Sequence, residues 1–191
     1  MADVTDTTQA ATGRAESLAE LVSSRLRDIP DFPEPGVVFK DVTPLLADGP
    51  AFSAVVRDIA ERRRGSVDLV AGIEARGFIF GAAVAHELGI GFVPVRKAGK
   101  LPGKTRGVSY DLEYGSATIE IHEDSFVGGE RVLVIDDVLA TGGTAAATCE
   151  LLEGSEATVV AFEAVIELAF LHGRSRLAGR DVHATVVVGG D

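Results

Sequence analysis

The sequence offers a single cysteine, Cys149, in 191 residues. A disulfide within the chain is therefore excluded, and no Cys/His spacing of a structural zinc site accompanies it. There is no apolar run of the roughly 18–20 residues that a membrane span needs. The opening stretch MADVTDTTQAATGRAES is polar where a secretory signal has its apolar core. Cations are the scarcer charge: 18 Lys and Arg stand against 29 Asp and Glu, for a net charge of −11. Non-specific attraction to nucleic acid or to an anionic membrane needs a positive field, so neither is an expected partner. An anionic ligand has to be met by local donors. The G-x-x-x-x-G-K-[ST] loop of NTP-binding proteins is missing, and no internal repeat, helix-turn-helix extension or basic face is visible. These absences leave a cytoplasmic globular chain, expected to form one domain over residues 14–191 behind a disordered tail of residues 1–13.

What is present is an alternation of short β-branched runs with helical ones. Leu18, Leu21, Val22, Leu26 and Ile29 recur at spacings of three and four, predicting a helix from Ala15 to Asp28. DIPDFPEPGVVFKDVTPLL carries four prolines, so residues 30–39 should be extended and constrained, with Val37, Val38 and Phe39 at their apolar tip. A second helix is expected over residues 50–64. VDLVAGI, IGFVPVR, RVLVIDDV and ATVVAFEAVIEL read as strands, and GFIFGAAVAHEL and GGTAAATCELLEG as the helices between them. GVSYDLEYGSATIEIHE reads as a hairpin turning at Gly115. The pattern implies an α/β fold with a mainly parallel central sheet flanked by helices, in which ligands sit outside the carboxyl ends of the strands.

The chemistry gathers in VLVIDDVLATGGT. The strand should end near Asp136, leaving Asp137 to Thr144 as a strand-to-helix loop. Successive N–H groups at a glycine turn and a helix N-terminus cradle an anion, and Thr141 and Thr144 add hydroxyl donors. Carboxylates just before the turn repel a phosphate but accept hydrogen bonds from ribose hydroxyls, so acids and cradle together read as a ribose 5-phosphate site. The plainer reading is a turn with an Asp cap. Between Leu88 and Tyr110 stand five cations, Arg96, Lys97, Lys100, Lys104 and Arg106, and no acid. This local inversion suits a polyanion, and RKAGKLPGKTRG has the glycines of a loop able to close; alternatively it is a solvated hairpin tip. Arg76 follows a strand and opens a helix, another place for an anion. Phe39 is either a core residue or a platform for a planar base. Glu113, beside the hairpin turn, is either an exposed strand residue or a general acid/base on a closing flap. His86, His122, His172 and His183 share no metal spacing and read as surface or cap residues. Cys149 reads as a small packed side chain.

Joined in order, DFPEPGVVFKDVTPLL, GIEARGFIFGAAVA, VPVRKAGKLPGKT, YDLEYGSATIEIHED and VLVIDDVLATGGT make the chain resemble the type I phosphoribosyltransferases, over residues 31 to about 172. FPEPGVVF and LEYG point within that family to the members that use adenine. The resemblance implies the family fold, with a flexible hairpin loop and a small hood from the N-terminal segment. It also implies transfer of a 5-phosphoribosyl group from phosphoribosyl pyrophosphate to N9 of adenine, with AMP and pyrophosphate as products. Mg²⁺ would enter with the substrate rather than through protein ligands, and the protein would be a homodimer.

By matching position, the resemblance implies that Asp136 and Asp137 hold the ribose hydroxyls. Ala140, Thr141, Gly142, Gly143 and Thr144 would cradle the 5-phosphate. Ala75, Arg76 and Gly77 would form the pyrophosphate loop, with a strained peptide near Glu74 and Ala75, and Arg96, Lys97 and Lys100 would be further pyrophosphate ligands. Val38, Phe39 and Lys40 would bind adenine, Glu113 would be the general acid/base, and Tyr114 would help close the hood. Two alternatives are a regulator that senses phosphoribosyl pyrophosphate and an enzyme for a 6-oxopurine. The first lacks a nucleic-acid-binding region, and the second would need different contacts around Val38 to Lys40.

Overall fold

Five apolar runs pair in parallel through the middle of the molecule, seen in a computed structural model that describes residues 17–32, 34–111 and 115–190. The expected tail, residues 1–13, lies outside the described residues, as do Glu113 and Tyr114. The chain runs through α1 (Leu18–Ser24), β1 (Arg27–Pro30), β2 (Val38–Asp41), α2 (Thr43–Ala47), α3 (Gly49–Arg63), β3 (Leu69–Ile73) and α4 (Gly77–Leu88). It continues through β4 (Gly91–Lys97), β5 (Thr105–Asp111), β6 (Ser116–His122), β7 (Arg131–Leu139), α5 (Gly143–Glu153), β8 (Thr158–Leu168) and β9 (Asp181–Val188). Two 3-10 turns, Ala169–Leu171 and Gly173–Leu177, join β8 to β9.

The sheet order is β5-β6-β4-β3-β7-β8-β9, parallel from β4 to β9, with the β5–β6 hairpin added antiparallel at one edge. Both faces of its centre are covered. Leu133 and Ile135 of β7 pack with Val55, Ile59 and Phe80 of α3 and α4. Val132 and Val134 pack with Cys149, Leu151 and Leu152 of α5. A strand buried on both faces has no polar side to alternate, hence the unbroken apolar runs of the sequence. Among the described residues, no helix is long and apolar enough to cross a membrane.

Two expectations need correction. The first helix starts at Leu18, where Ser17 and Glu20 form a reciprocal capping box, and ends at Ser24. Residues 27–30 instead pair with Val38–Asp41, setting Ile29 opposite Phe39 in a separate two-stranded sheet. The pairing overrides helical periodicity that Ile29 satisfied by coincidence. Strand β7 does not end near Asp136 but runs to Leu139, because Val138 and Leu139 pair with Ile166 and Glu167 of β8. The phosphate-loop candidate shrinks to Ala140–Gly142. The His183 side chain, read as a surface or cap residue, is 37% exposed and sets its Nδ1 3.1 Å from Glu163, a carboxylate with 0% exposure. Arg62 and Arg63 donate to that carboxylate at 3.0 and 2.7 Å, and Arg63 also bonds Asp181 at 2.5 Å.

Candidate active site

At the carboxyl end of β7 the chain turns through Ala140, Thr141 and Gly142 and enters α5 at Gly143. Gly142 has φ 78°, which a side chain rarely adopts, so the turn depends on glycine there. The turn encloses a pocket of about 80 Å³ lined by Asp136 and by residues 138–145. The first N–H groups of a helix have no partner within the helix and carry its positive end, so the pocket presents donors to an anion. The Thr144 hydroxyl is held by the Tyr110 hydroxyl of β5 at 2.9 Å.

Asp136 and Asp137 precede this cradle as the sixth and seventh residues of the nine-residue strand β7. The Asp137 N–H donates to Asp136 Oδ1 at 2.9 Å. Removal from water, and then the Asp137 charge beside it, push the Asp136 carboxyl well above the usual carboxylate range. Arg76, just before α4, donates through Nε to Asp137 Oδ2. The same guanidinium stands over the Phe39 ring, 5.4 Å from its centroid. Arg76 thereby joins the acid pair to the apolar tip of the proline-rich segment. Helix α4 comes this close because Gly77 has no side chain: a Cβ there would lie 2.8 Å from the Ile135 carbonyl and 3.0 Å from Asp136 Oδ1. The Glu74–Ala75 peptide, where an unusual bond was expected, is cis.

A cleft of about 1200 Å³ opens beside the cradle, with Val38 and Lys40 on one side and Thr141, Gly143 and Thr144 on the other. Val38 is half exposed, whereas Phe39 is partly buried, its ring against Phe32 at a centroid distance of 5.3 Å. Lys40 Nζ bonds both oxygens of Asp28 at 2.7 and 2.8 Å, which offsets its charge.

The basic segment divides by partner. Arg96 Nε bonds Glu74 at 2.9 Å, and its Nη1 donates to the Lys100 carbonyl at 3.1 Å. Lys97 and Lys100 are exposed and, among the described residues, make no ion pair. Arg106 reaches toward α5: its exposed guanidinium donates through Nη1 at 2.7 Å to the carbonyl of Gly154, at the end of that helix.

The structure also adds residues that sequence reasoning passed over. Leu168, Phe170, His172 and Arg176, from the end of β8 and the two 3-10 turns, line the cleft facing Val38 and Thr141. They lie just past the carboxyl end of a parallel strand, and that position was the signal available. Arg174 fixes these turns by bonding Glu167 and the Val182 carbonyl, the latter at 2.6 Å.

Residues 45–189 match the phosphoribosyl transferase domain family. The adenine phosphoribosyltransferase of Salinispora tropica is 55% identical over 185 residues, covering 96% of this chain and 98% of the relative. That of Acidothermus cellulolyticus is 56% identical over 172 residues, 90% of this chain and 97% of the relative. Among solved structures, adenine phosphoribosyltransferase from Thermoanaerobacter pseudethanolicus superposes with a TM-score of 0.86 at 46% identity, covering 89% of this chain and 99% of that one. The Saccharomyces cerevisiae enzyme, solved with an imino-altritol bisphosphate and adenine, superposes at 0.83 with 38% identity, covering 88% and 98%.

Proposed function

The chain belongs to the adenine phosphoribosyltransferases of the phosphoribosyl transferase family, and on that premise we propose how its own residues carry out the reaction. That reaction is purine salvage: the 5-phosphoribosyl group of phosphoribosyl pyrophosphate passes to N9 of adenine, giving AMP and pyrophosphate. Its transition state separates charge, with a ribose ring of oxocarbenium character on one side and a diphosphate gaining negative charge on the other. Catalysis therefore needs acids near the sugar and cations near the leaving group.

The observation that carries the assignment is the 80 Å³ cradle at the start of α5, opening onto the cleft that Val38 lines. In our reading the N–H groups and hydroxyls from Ala140 to Thr144 take the 5-phosphate. Asp136 and Asp137 take the ribose hydroxyls. The backbone and side chains of Val38 to Lys40 take adenine. Ala75, Arg76, Gly77, Arg96, Lys97 and Lys100 meet the pyrophosphate. Arg76 changes partners during this sequence, since sugar binding competes for the Asp137 carboxylate that it holds in the free protein.

Glu113 is the proposed general acid/base, accepting the proton that leaves adenine N9, and Tyr114 helps to exclude water that would otherwise hydrolyse the activated ribose. Among the described residues, no three His, Cys, Asp or Glu side chains cluster as a metal site. Mg²⁺ would enter held by the oxygens of phosphoribosyl pyrophosphate, without a direct protein ligand. When bound, the ion would neutralise charge gathering on the pyrophosphate. We place the enzyme in the cytoplasm as a homodimer, and light scattering checks the latter by a mass twice that of the chain.

The test is nucleotide formation from phosphoribosyl pyrophosphate, Mg²⁺ and, in parallel, adenine, hypoxanthine, guanine and xanthine. Product from adenine alone is the expected result. Product from a 6-oxopurine alone overturns the assignment of Val38 to Lys40.

A further inference from the structure

The segment from Ala98 to Lys104 carries exposed lysines between two strands, yet it is fastened by a side chain with no part in the reaction as described. That side chain is Glu120, on the middle strand of the antiparallel edge, where it pairs with Arg96 on one flank and Gly107 on the other. Its carboxylate is 7% exposed. Oε1 accepts from the N–H groups of Gly99 and Leu101, each at 3.1 Å, and Oε2 accepts from the Thr105 hydroxyl at 3.1 Å. The two amides flank Lys100, whose carbonyl accepts from Arg96. Lys100 is thus held from both directions: a carboxylate gathers the N–H groups beside it, and a guanidinium holds its oxygen. Burial works against the Glu120 charge, but the Leu101, Thr105, Gly99 and Lys100 donors outweigh it, so the carboxyl titrates below its usual range.

We propose that Glu120 is a positioning residue that sets the segment carrying Lys97 and Lys100 in the shape that receives pyrophosphate, acting through Lys100 and Arg96 and touching no substrate itself. The inference rests on the reading of Lys100 and Arg96 as pyrophosphate ligands. An anion inside the turn is a sound choice for this task. It draws the backbone N–H groups inward and leaves the lysine ammonium groups, which it does not contact, for a second anion outside. A neutral amide in its place can still accept from both N–H groups through its oxygen and turn its NH₂ group to the Thr105 hydroxyl, but it lacks the charge that strengthens those bonds.

Glu120→Gln tests this, with Glu120→Asp as the conservative partner and Lys100→Ala as the reference. Calorimetry with Mg²⁺-pyrophosphate and, separately, with AMP gives the deciding comparison, because AMP lacks the group that the segment receives. Glu120→Gln is expected to weaken pyrophosphate binding and raise KM for phosphoribosyl pyrophosphate on the order of tenfold, as for one lost charge-assisted hydrogen bond. AMP affinity should stay within about twofold, since charge-assisted contacts to the cradle are untouched. Glu120→Asp, which keeps the charge, should recover part of the loss. The double variant with Lys100→Ala should be little worse than Lys100→Ala alone. Unchanged pyrophosphate affinity in Glu120→Gln overturns the proposal, and so does a parallel fall in AMP affinity, which would mean a general structural role. If Lys100→Ala and Arg96→Ala leave pyrophosphate affinity intact, the ligand reading itself fails and takes the inference with it. If they weaken it while Glu120→Gln does not, only the inference fails.

Discussion

Gly142 and Gly173 meet backbone to backbone: a Cβ on Gly142 would lie 2.3 Å from the Gly173 carbonyl oxygen, and one on Gly173 would lie 2.1 Å from the Ala140 carbonyl oxygen. Both obstacles are main-chain atoms, which cannot turn aside as a flexible side chain can. The contact sets the phosphate cradle directly on the 3-10 turns that close the other side of the cleft.

Gly173→Ala is therefore expected to displace the Ala140–Gly142 turn while leaving the buried core alone. An ångström of displacement at a binding turn costs on the order of 100-fold in rate. Steady-state kinetics should show kcat/KM for phosphoribosyl pyrophosphate falling by at least about tenfold, with a normal circular dichroism spectrum. Wild-type kinetics would show that the cradle tolerates the shift.

Replacing both acids, as Asp136→Asn with Asp137→Asn, should weaken phosphoribosyl pyrophosphate binding measured by calorimetry. The change also frees Arg76 from its partner on β7. Unchanged affinity would refute the ribose-site reading.

Glu113→Ala should fold normally, bind AMP and lose most turnover, since a general acid/base contributes roughly 10²- to 10⁴-fold. Near wild-type turnover removes Glu113 from the mechanism.

Asp41 gives a pH signature. It is nearly buried and accepts from the Thr43 N–H at 2.9 Å, from Arg27 Nε at 3.0 Å and from the Thr43 hydroxyl at 2.8 Å. These donors, the Thr43 N–H foremost, bring its carboxyl down to about 2. A carboxyl whose pKa is lower folded than unfolded adds stability that is complete above its unfolded pKa of about 4 and is lost as pH falls through the folded value. The stability difference between the native protein and Asp41→Asn should thus be constant above about pH 5 and shrink toward about pH 2. Urea unfolding at a series of pH values measures it, and a difference independent of pH would contradict the assignment.

Glu163 is the opposite case, a structural carboxylate. Its loss in Glu163→Ala leaves Arg63, itself 6% exposed, without its buried partner. Breaking a buried pair from one side costs about 3–5 kcal/mol. The network reaches Asp181, the first residue of β9, so it lies at the end of the sheet away from the cleft. Denaturant unfolding should register the loss, while activity per folded molecule stays near native.

The parallel core was legible because strands buried on both faces must be apolar throughout, and because a helix such as Gly77–Leu88 ends at a signal written locally, the left-handed Gly89. The acids and the glycine turn were legible for the same reason: they stand consecutively. Legibility failed where partners are distant in sequence. Arg106 counts as one of five cations until Gly154, 48 residues away, claims it. Glu120 is an ordinary strand acid until the turn folds over it. The end of β7 depended on pairing with β8, and the wall of the cleft formed by Phe170 and His172 carries no motif of its own.

The Tyr110–Thr144 and Arg106–Gly154 bonds have a mechanical meaning. They tie β5 to α5 near its first turn and at its far end, along a helix of 11 residues, or about 16 Å. A beam pinned at two points does not swing. Residues 105–111 are thus braced against the helix whose first turn forms the cradle, so a load on either element is carried by both.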